Sequence, residues 1–362
     1  MSEPKKINIF VKIIIYFFTT ILMLVLFAFG VVFVMEKGPS KKATELFTLS
    51  CNETSAMKWV PGIFMSEKEV NAILYPDLIG TVQNGTSVIT IVGDKMTITT
   101  EDEVTSGVGS ENVMILPTAP AEGEEEAVTS AAANGEVVEV IDLRGGTYKG
   151  KVMLVHDPSK VLVASIDSFG GVGMTLESFL AKYDAIGCTN AGGFEDENGK
   201  GKGGIPDGVV IRDGQIVYGS AGTSYKDVLG FDENNVLHVG NMTGQQALNE
   251  GIINGTSFDL GPVLIKDGEV QTIPTSGINP RSAIGQAADG TVILITIEGR
   301  MVDSLGATCS DLIDIFTKYG AVNAANLDGG SSSGMYYKGE RITRSSSVIG
   351  DRPVPTAIMV LK

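Results

Sequence analysis

The uncharged apolar run from Ile13 to Met35 constrains this chain more than any other feature of its sequence. The run is 23 residues long, and at about 1.5 Å per residue a helix of that length spans the roughly 30 Å hydrocarbon core of a bilayer. A cleaved signal peptide is the alternative, but its apolar core is normally about 7–15 residues long, and the only candidate cleavage sequence is the weak Ala28-Phe29-Gly30. The run therefore predicts that residues 13–35 form a transmembrane anchor with the lipid bilayer as its partner.

Lysines flank this run on both sides, so the positive-inside rule does not decide its orientation. They are Lys5, Lys6 and Lys12 before the run and Lys37, Lys41 and Lys42 after it. An N-terminal span followed by a much larger C-terminal part is a common layout for a signal anchor. We therefore expect a single-pass protein of the cell membrane, with residues 1–12 as a basic cytoplasmic tail and the C-terminal domain outside the cytoplasm.

The acidic charge divides the rest of the chain. The formal net charge of −16 argues against nucleic acid as a partner. Residues 101–140 hold ten acidic side chains and no Lys or Arg. Residues 101–135 are also rich in Ala, Gly, Ser and Thr and poor in aromatic residues, which predicts a flexible acidic linker. This linker separates a juxtamembrane part, residues 36–100, from a C-terminal domain, residues 136–362.

The juxtamembrane part combines a helical pattern with a strand pattern. Ser66 and Glu69 have the spacing of a capping box and predict the start of a helix, which Pro76 would end. Residues 86–100 alternate apolar and polar side chains around a Gly-Asp pair, which predicts a small hairpin.

Short alternating strands dominate from Gly135 onward, and the chain's 45 glycines agree with many tight turns. Three Asp-Gly pairs flanked by apolar alternation predict β-hairpins. These pairs are Asp213-Gly214, Asp267-Gly268 and Asp289-Gly290. Two helices, capped by Thr175 and Thr308, interrupt the strands. The predicted fold class is α+β, with an N-terminal transmembrane helix followed by a β-rich mixed-sheet domain with a few packed helices.

Cysteine and histidine usage argues against several kinds of site, although one disulfide bridge is possible. Cys51, Cys188 and Cys309 form no CxxC pair, which favours three buried small side chains over a disulfide framework or a metal site. The two histidines, His156 and His238, lie on separate strand-like runs, which argues against a zinc cluster and a Ser-His-Asp hydrolase. Catalysis would have to use carboxylates, asparagines, serines and arginines.

The run Asn326-Leu327-Asp328-Gly329-Gly330-Ser331-Ser332 is the strongest candidate for chemistry. Asp328 could act as a base, a nucleophile or a metal ligand. The N–H groups of the two glycines could form an anion-binding concavity beside the serines. A Gly/Ser-rich turn between two strands is the alternative interpretation.

A short internal repeat of this run follows the first of the two helices. Eight residues separate Lys182 from Asn190, and eight separate Lys318 from Asn326. Each unit then continues into a diglycine, which is Gly192-Gly193 in the first copy. Ligands often bind where strand ends and turns converge, so we hypothesise that the two turns face a common cleft. Coincidence over about ten residues is the alternative.

Arginines lie beside three further glycine turns of an otherwise acidic chain. They are Arg281 after Asn279-Pro280, Arg300 after Glu298-Gly299, and Arg352 after Gly350-Asp351. The planar guanidinium fork matches phosphate oxygens. A surface salt bridge would explain any one of these arginines, but the three together favour an anion site.

Together these motifs resemble the phosphodiester glycosidase family, over about residues 136–362. Five motifs occur in the family's order: Asn190-Ala191-Gly192-Gly193-Phe194, Pro280-Arg281-Ser282-Ala283-Ile284-Gly285, Glu298-Gly299-Arg300, Asn326 to Ser332, and Asp351-Arg352-Pro353-Val354. The anchor and linker are similar to those of bacterial membrane-anchored members, often labelled exopolysaccharide-biosynthesis proteins. The family often has Asp-Gly-Arg in place of Glu298-Gly299-Arg300 and a glycine in place of Ser331, which leaves the substrate open.

The resemblance implies an extracytoplasmic hydrolase that cleaves sugar-1-phosphodiester bonds of cell-surface glycans or related metabolites, with a carbohydrate or sugar phosphate as substrate. Asp328 is the expected nucleophile or base, Glu298 the second carboxylate and Asn190 an orienting group, with Asp196 and Asp303 as reserve carboxylates. The expected substrate-binding residues are Arg281, Arg300, Arg352, Asn326, Gly192, Gly193, Gly329, Gly330, Ser331 and Ser332.

Two other functions remain open at this point. One is a non-catalytic protein that binds anionic exopolysaccharide during envelope polysaccharide biosynthesis. The other is a transferase that moves the sugar to an acceptor other than water. The sequence requires no cofactor, and it leaves a divalent metal at Asp328 undecided.

Overall fold

The computed structural model describes residues 8–75, 87–92, 95–100, 137–347 and 350–362. The predicted acidic linker, residues 101–135, lies outside the described residues. The helices of the described ranges are α1 (Ile9–Lys37), α2 (Lys41–Asn52), α3 (Glu67–Leu74), α4 (Leu176–Tyr183), α5 (Gly244–Asn249) and α6 (Cys309–Lys318).

The strands run in chain order from the juxtamembrane part to the end of the domain. They are β1 (Ser87–Val92), β2 (Lys95–Thr100), β3 (Val138–Arg144), β4 (Lys149–Val155), β5 (Val161–Ser165), β6 (Ala185–Asn190), β7 (Val210–Arg212), β8 (Gln215–Tyr218), β9 (Ser224–Phe231), β10 (Leu237–Thr243), β11 (Asn254–Ser257), β12 (Val263–Lys266), β13 (Glu269–Val270), β14 (Arg281–Ala287), β15 (Val292–Ile297), β16 (Ala321–Leu327), β17 (Met335–Tyr337), β18 (Glu340–Arg341) and β19 (Thr356–Leu361).

The N-terminal helices form a packed unit. α1 contains the predicted span and is long and apolar enough to cross a membrane. Its last turns contact Phe64, whose ring lies 6.2 Å from the ring of Phe29 and 5.3 Å from that of Phe33. The Glu36 carboxylate accepts a hydrogen bond from the N–H of Phe64 at 2.9 Å. Ser66 caps α3 in the predicted capping box.

Three antiparallel sheets build the C-terminal domain. A seven-stranded sheet has the order β13-β12-β16-β14-β15-β4-β3, and two five-stranded sheets have the orders β10-β9-β11-β7-β8 and β18-β17-β6-β19-β5. The α+β class is confirmed. Every strand pairing in the described ranges is antiparallel, whereas the sequence suggested mixed sheets, because hairpins and antiparallel returns make the pairings. The three predicted Asp-Gly turns join β7 to β8, β12 to β13 and β14 to β15.

The sheets stack around a shared apolar core, and helices cover their outer faces. Ile284, Leu229 and Ile358, one from each sheet, belong to this central core. α6 packs on the outer face of the seven-stranded sheet through Leu312 and Phe316. α4 covers the outer face of the sheet that contains β6. The strands of the two units of the internal repeat, β6 and β16, therefore lie in two different sheets that face each other across the core.

Strand ends from all three sheets meet at one side of this sandwich. β16 ends beside the start of its neighbour β14, where Leu327 pairs with Ser282. β6 ends beside the start of β19, where Asn190 pairs with Ala357. β11 ends near the start of β7. The predicted polar turns follow these strand ends, so the fold collects them in one place.

Leu312→Ala is expected to destabilise the domain by about 2–5 kcal/mol, because it leaves a cavity under α6. Leu312 is fully buried, whereas Leu260 is 73% exposed. Leu260→Ala is the matched control and should change stability by no more than about 0.5 kcal/mol. Urea unfolding of both variants measures the difference, and equal midpoints would contradict the assigned core.

Candidate functional site

The two glycine turns that were predicted to share a cleft are bonded directly to each other. Asn190 Nδ2 donates to the carbonyl oxygen of Asp328 at 2.5 Å. The N–H of Asp328 donates to the carbonyl oxygen of Ala191 at 3.0 Å. Asn190 Oδ1 accepts from Ser282 Oγ at 2.7 Å. The two turns therefore meet, as the repeated spacing predicted, and the fully buried Asn190 amide fixes the backbone on which Asp328 stands.

The Asp328 carboxylate is half-buried at this junction. It accepts hydrogen bonds from the Ser332 side chain and from the N–H of Gly329. Burial raises the pKa of Asp328 to about 7, against the opposing effects of the Ser332 hydrogen bond and the Arg352 charge. Near neutral pH the group is therefore divided between its charged and neutral forms.

The glycine N–H groups do not form the expected free concavity. The N–H of Gly329 bonds to the Asp328 carboxylate, and the N–H of Gly330 donates to the carbonyl oxygen of Pro280 at 2.9 Å. The chain needs glycine at position 330, where φ is +61° and the Arg300 guanidinium lies against the Cα. The turn then closes into a 3₁₀ helix over Gly330–Ser332. The Asp328 carboxylate and the Pro280 carbonyl oxygen therefore take the two N–H donors that an anion would need.

Arg352 lies beside Asp328 and is firmly held. Its guanidinium makes two 2.7 Å hydrogen bonds to the two carboxylate oxygens of Asp196. It also donates to Ser331 Oγ at 3.2 Å and stacks 4.9 Å over the ring of Phe194. Asp196, a reserve carboxylate in the sequence analysis, is therefore the ion-pair partner of a predicted anion-binding arginine.

The other two predicted arginines are bound by the N-terminal unit. Arg281 Nη2 donates to Glu53 Oε2 at 2.6 Å, and its Nε donates to the carbonyl oxygen of Ala307. Arg300 Nη2 donates to Thr54 Oγ1 at 2.8 Å. Arg300 also has a φ of +59°, a strained conformation for a residue other than glycine. The segment after α2 thus places a carboxylate and a hydroxyl on the guanidinium groups expected to bind substrate.

Residues 50–55, which are the last three residues of α2 and the three that follow it, are seated tightly against the loop before β14. Glu53 Oε1 accepts from the N–H of Gly277 at 2.6 Å, and Ser50 Oγ accepts from the N–H of Ile278 at 2.9 Å. A Cβ added to Gly277 would lie 2.3 Å from the backbone nitrogen of Ser50. Ser55 adds a hydrogen bond to the Asp196 carboxylate. We name residues 50–55 the covering segment.

Glu298, the expected second carboxylate, is also paired. Its oxygens accept from the backbone N–H of Arg344 at 2.8 Å and from Arg344 Nε at 2.6 Å. Asp303 is bound by Lys149 at 2.8 Å and by Arg344 at 3.0 Å. Asn326 is buried, and its Oδ1 has no hydrogen-bond partner in the described part of the chain.

Sequence reasoning missed Asp207, which lies next to the first glycine turn. Its N–H donates to the carbonyl oxygen of Gly193 at 3.2 Å. Burial raises the pKa of Asp207 to about 7, and the charges of Asp328 and Asp259 add to the effect. Locally, Pro206-Asp207-Gly208 has the composition of an ordinary turn, so only the three-dimensional contact with the Gly193 turn could have identified this residue.

The three cysteines lie where the sequence predicted small buried side chains. Cys51, Cys188 and Cys309 are free and buried. His156 contacts Thr291, and His238 contacts Asp232. Within the described residues, no group of three or more His, Cys, Asp and Glu side chains could hold a metal ion.

Comparisons with known proteins indicate the family to which the C-terminal part of the chain is similar. A model of the NAGPA family, described as phosphodiester glycosidase, matches residues 183–361. The SPbeta prophage-derived uncharacterized protein YomE of Bacillus subtilis (strain 168) is 33% identical over 192 residues, which are 50% of this chain and 29% of the relative. The chain therefore spans under a third of that relative's length.

The fold is also found in a solved structure. The catalytic domain of zebrafish N-acetylglucosamine-1-phosphodiester alpha-N-acetylglucosaminidase, auto-inhibited by its pro-peptide, superposes with a TM-score of 0.52 at 22% identity. The likeness covers 64% of this chain and 85% of that one. It confirms the α+β fold, and the family match supports a phosphodiester glycosidase domain in the C-terminal half of the chain.

Proposed function

We propose that the C-terminal domain hydrolyses sugar-1-phosphodiesters and releases a free sugar and a phosphomonoester. The observation that carries the proposal is the setting of Asp328. Its half-buried carboxylate stands at the contact between the two glycine turns, and the charges of Arg300 and Arg352 act on it. The family match over residues 183–361 supports the same reaction class.

Each charged group has a task in this reaction. Breaking the bond between C1 of the sugar and the phosphate oxygen builds positive charge on the ring, which the Asp328 carboxylate stabilises. The departing phosphate carries negative charge, which Arg281 and Arg300 stabilise through planar, charge-assisted hydrogen bonds. Asn190 holds the Asp328 backbone so that the carboxylate keeps its position.

The covering segment occupies the arginines in the conformation described. The Glu53 carboxylate lies on Arg281, in the place proposed for a substrate phosphate oxygen. The zebrafish catalytic domain is described as auto-inhibited by its pro-peptide. We propose that here residues 50–55 play the corresponding part, and that substrate binding requires Glu53 to leave Arg281.

The proposed location is the outer face of the cell membrane, with cell-surface glycans or related metabolites as the source of substrate. α1 supports a retained anchor rather than a cleaved signal, because its last turns are built into the folded unit through Phe29, Phe33 and Glu36. A signal peptide that is removed would leave Phe64 without these contacts.

Release of reducing sugar from a panel of sugar-1-phosphodiesters, including nucleotide sugars, tests the proposed function. The full chain in detergent is assayed with and without divalent metal. Turnover is the expected result, and the panel identifies the sugar. Glycan binding without turnover would favour the non-catalytic function, and sugar transfer that depends on an added acceptor would favour the transferase.

A further inference from the structure

We propose that Asp207 is the second catalytic carboxyl group of this site and supplies the proton that the leaving phosphate oxygen accepts. This inference rests on the proposed function. It goes beyond the motifs of the sequence, none of which contains Asp207.

The backbone brings Asp207 and Asp328 to the same turn. Asp207 donates its N–H to Gly193, and Asp328 donates its N–H to Ala191. The two acceptor residues are two positions apart, so their carbonyl groups are separated by about 7 Å at most. Asp207 Oδ2 lies directly over Gly193, where an added Cβ would approach it to 2.1 Å. The absence of a side chain at position 193 is what admits this carboxyl group.

The fold engages only part of the Asp207 carboxyl group. Its Oδ1 is buried and has no hydrogen-bond partner among the residues that the structure describes. The charges that act on the group belong to Asp328 and Asp259, and both are negative. Burial without a neutralising cation favours the protonated form. Glu298, by contrast, has both oxygens engaged by Arg344.

The two aspartates differ in the charges that they face. The Asp328 carboxylate accepts hydrogen bonds from Ser332 and Gly329. The positive charges of Arg352 and Arg300 favour its anionic form, and the negative charge of Asp196 disfavours it. Asp207 receives a backbone hydrogen bond from Asp259, and within the described residues no arginine or lysine is among the charges that act on it. When one proton is present on the pair, it belongs on Asp207, which leaves Asp328 as the anion. Unequal environments of this kind separate an acid from an anion in a carboxyl pair.

The proton balance of the reaction then follows. As the bond between C1 and the phosphate oxygen breaks, its electron pair goes to that oxygen and the Asp207 proton moves onto it. Water adds its oxygen to C1 in a later step, after the leaving group has departed, and the proton that it gives up returns to Asp207. The net change is addition of water. A phosphomonoester has a second pKa of about 6, close to the pKa of about 7 at Asp207, and such matching favours proton transfer.

The test compares Asp207→Asn with the native chain on two substrates of the same sugar, a phosphodiester and a glycosyl fluoride. Fluoride leaves without a proton. We expect kcat/KM of the variant to fall about 10²-fold for the phosphodiester and to stay within about 5-fold for the fluoride. Both substrates are assayed on one sample, so a loss of folded protein cancels from the ratio.

Asp259→Asn is the matched control, since it removes one of the two charges that face Asp207 and keeps the backbone N–H. We expect it to retain activity and to move the alkaline limb of the pH–rate profile to lower pH. Asp207→Asn should abolish that limb.

Equal losses on both substrates would assign Asp207 a structural role and overturn the proposal. Full phosphodiester activity in the variant would overturn it too, while native turnover would still support the proposed function. A native chain that cleaves neither substrate would overturn both.

Discussion

Asp328→Asn is expected to lower kcat for sugar-1-phosphodiesters by about 10³-fold or more, because it removes the charge that stabilises the developing positive charge on the sugar. The amide has nearly the same size as the carboxyl group. The single oxygen of the asparagine amide can still accept a hydrogen bond from Ser332 or Gly329, so the turn should keep its conformation. The measurement is release of reducing sugar under saturating substrate.

The same substitution is expected to stabilise the protein at alkaline pH. The pKa of Asp328 in the folded chain is about 7 because of burial, whereas an unfolded Asp titrates near 4. The favourable contribution of the protonated carboxyl group is complete below about pH 4 and is lost as the pH rises through about 7. Asparagine does not titrate, so the variant does not lose stability as the pH rises. Its Tm should therefore exceed that of the native chain at pH 8 and approach it at pH 4.

Asp213→Asn is the matched control for both measurements. Asp213 is exposed in a hairpin turn with a φ of +51°, which Asn tolerates well. It should leave kcat and the pH dependence of Tm unchanged. Retained turnover in Asp328→Asn would remove this residue from the chemistry, and retained glycan affinity without native turnover would point to a binding protein.

Local signals in the sequence were sufficient for much of the fold. Ser66, Thr175 and Thr308 cap the three predicted helices because capping depends on residues within one turn. The Asp-Gly pairs form hairpins for the same reason. The order of the strands was not accessible in this way, since β16 lies between β12 and β14, which are far from it in the chain.

In the candidate site, too, local patterns were predictable from the sequence and long-range contacts were not. The repeated spacing before Asn190 and Asn326 predicted that two turns meet, and they do. Glu53 carried no local signal, because its partner Arg281 is 228 residues away. Asp207 was missed because its sequence neighbours have the composition of an ordinary turn. Its raised pKa results from burial against Gly193 and from the charge of Asp328, which only the fold brings near it.

Glu53→Gln is expected to lower KM for the phosphodiester by about 10-fold and to leave kcat nearly unchanged. In the proposed function, the charge-assisted bond between Glu53 and Arg281 competes with the substrate phosphate. A hydrogen bond to a charged group is worth about 1.5–3 kcal/mol, and about 1.4 kcal/mol corresponds to a tenfold change in affinity. Glutamine keeps the size and loses the charge, so the covering segment opens more readily.

Glu67→Gln is the control, because it makes the same change on the exposed first turn of α3 in the same N-terminal unit. Its KM should equal that of the native chain. The sign of the Glu53 effect distinguishes two functions of the covering segment. A lower KM means that residues 50–55 exclude the substrate, whereas a higher KM or a lower kcat would mean that Glu53 holds Arg281 in its working position. The contacts favour exclusion, because Glu53 Oε2 takes the hydrogen bond from Arg281 Nη2 that we propose for a substrate phosphate oxygen.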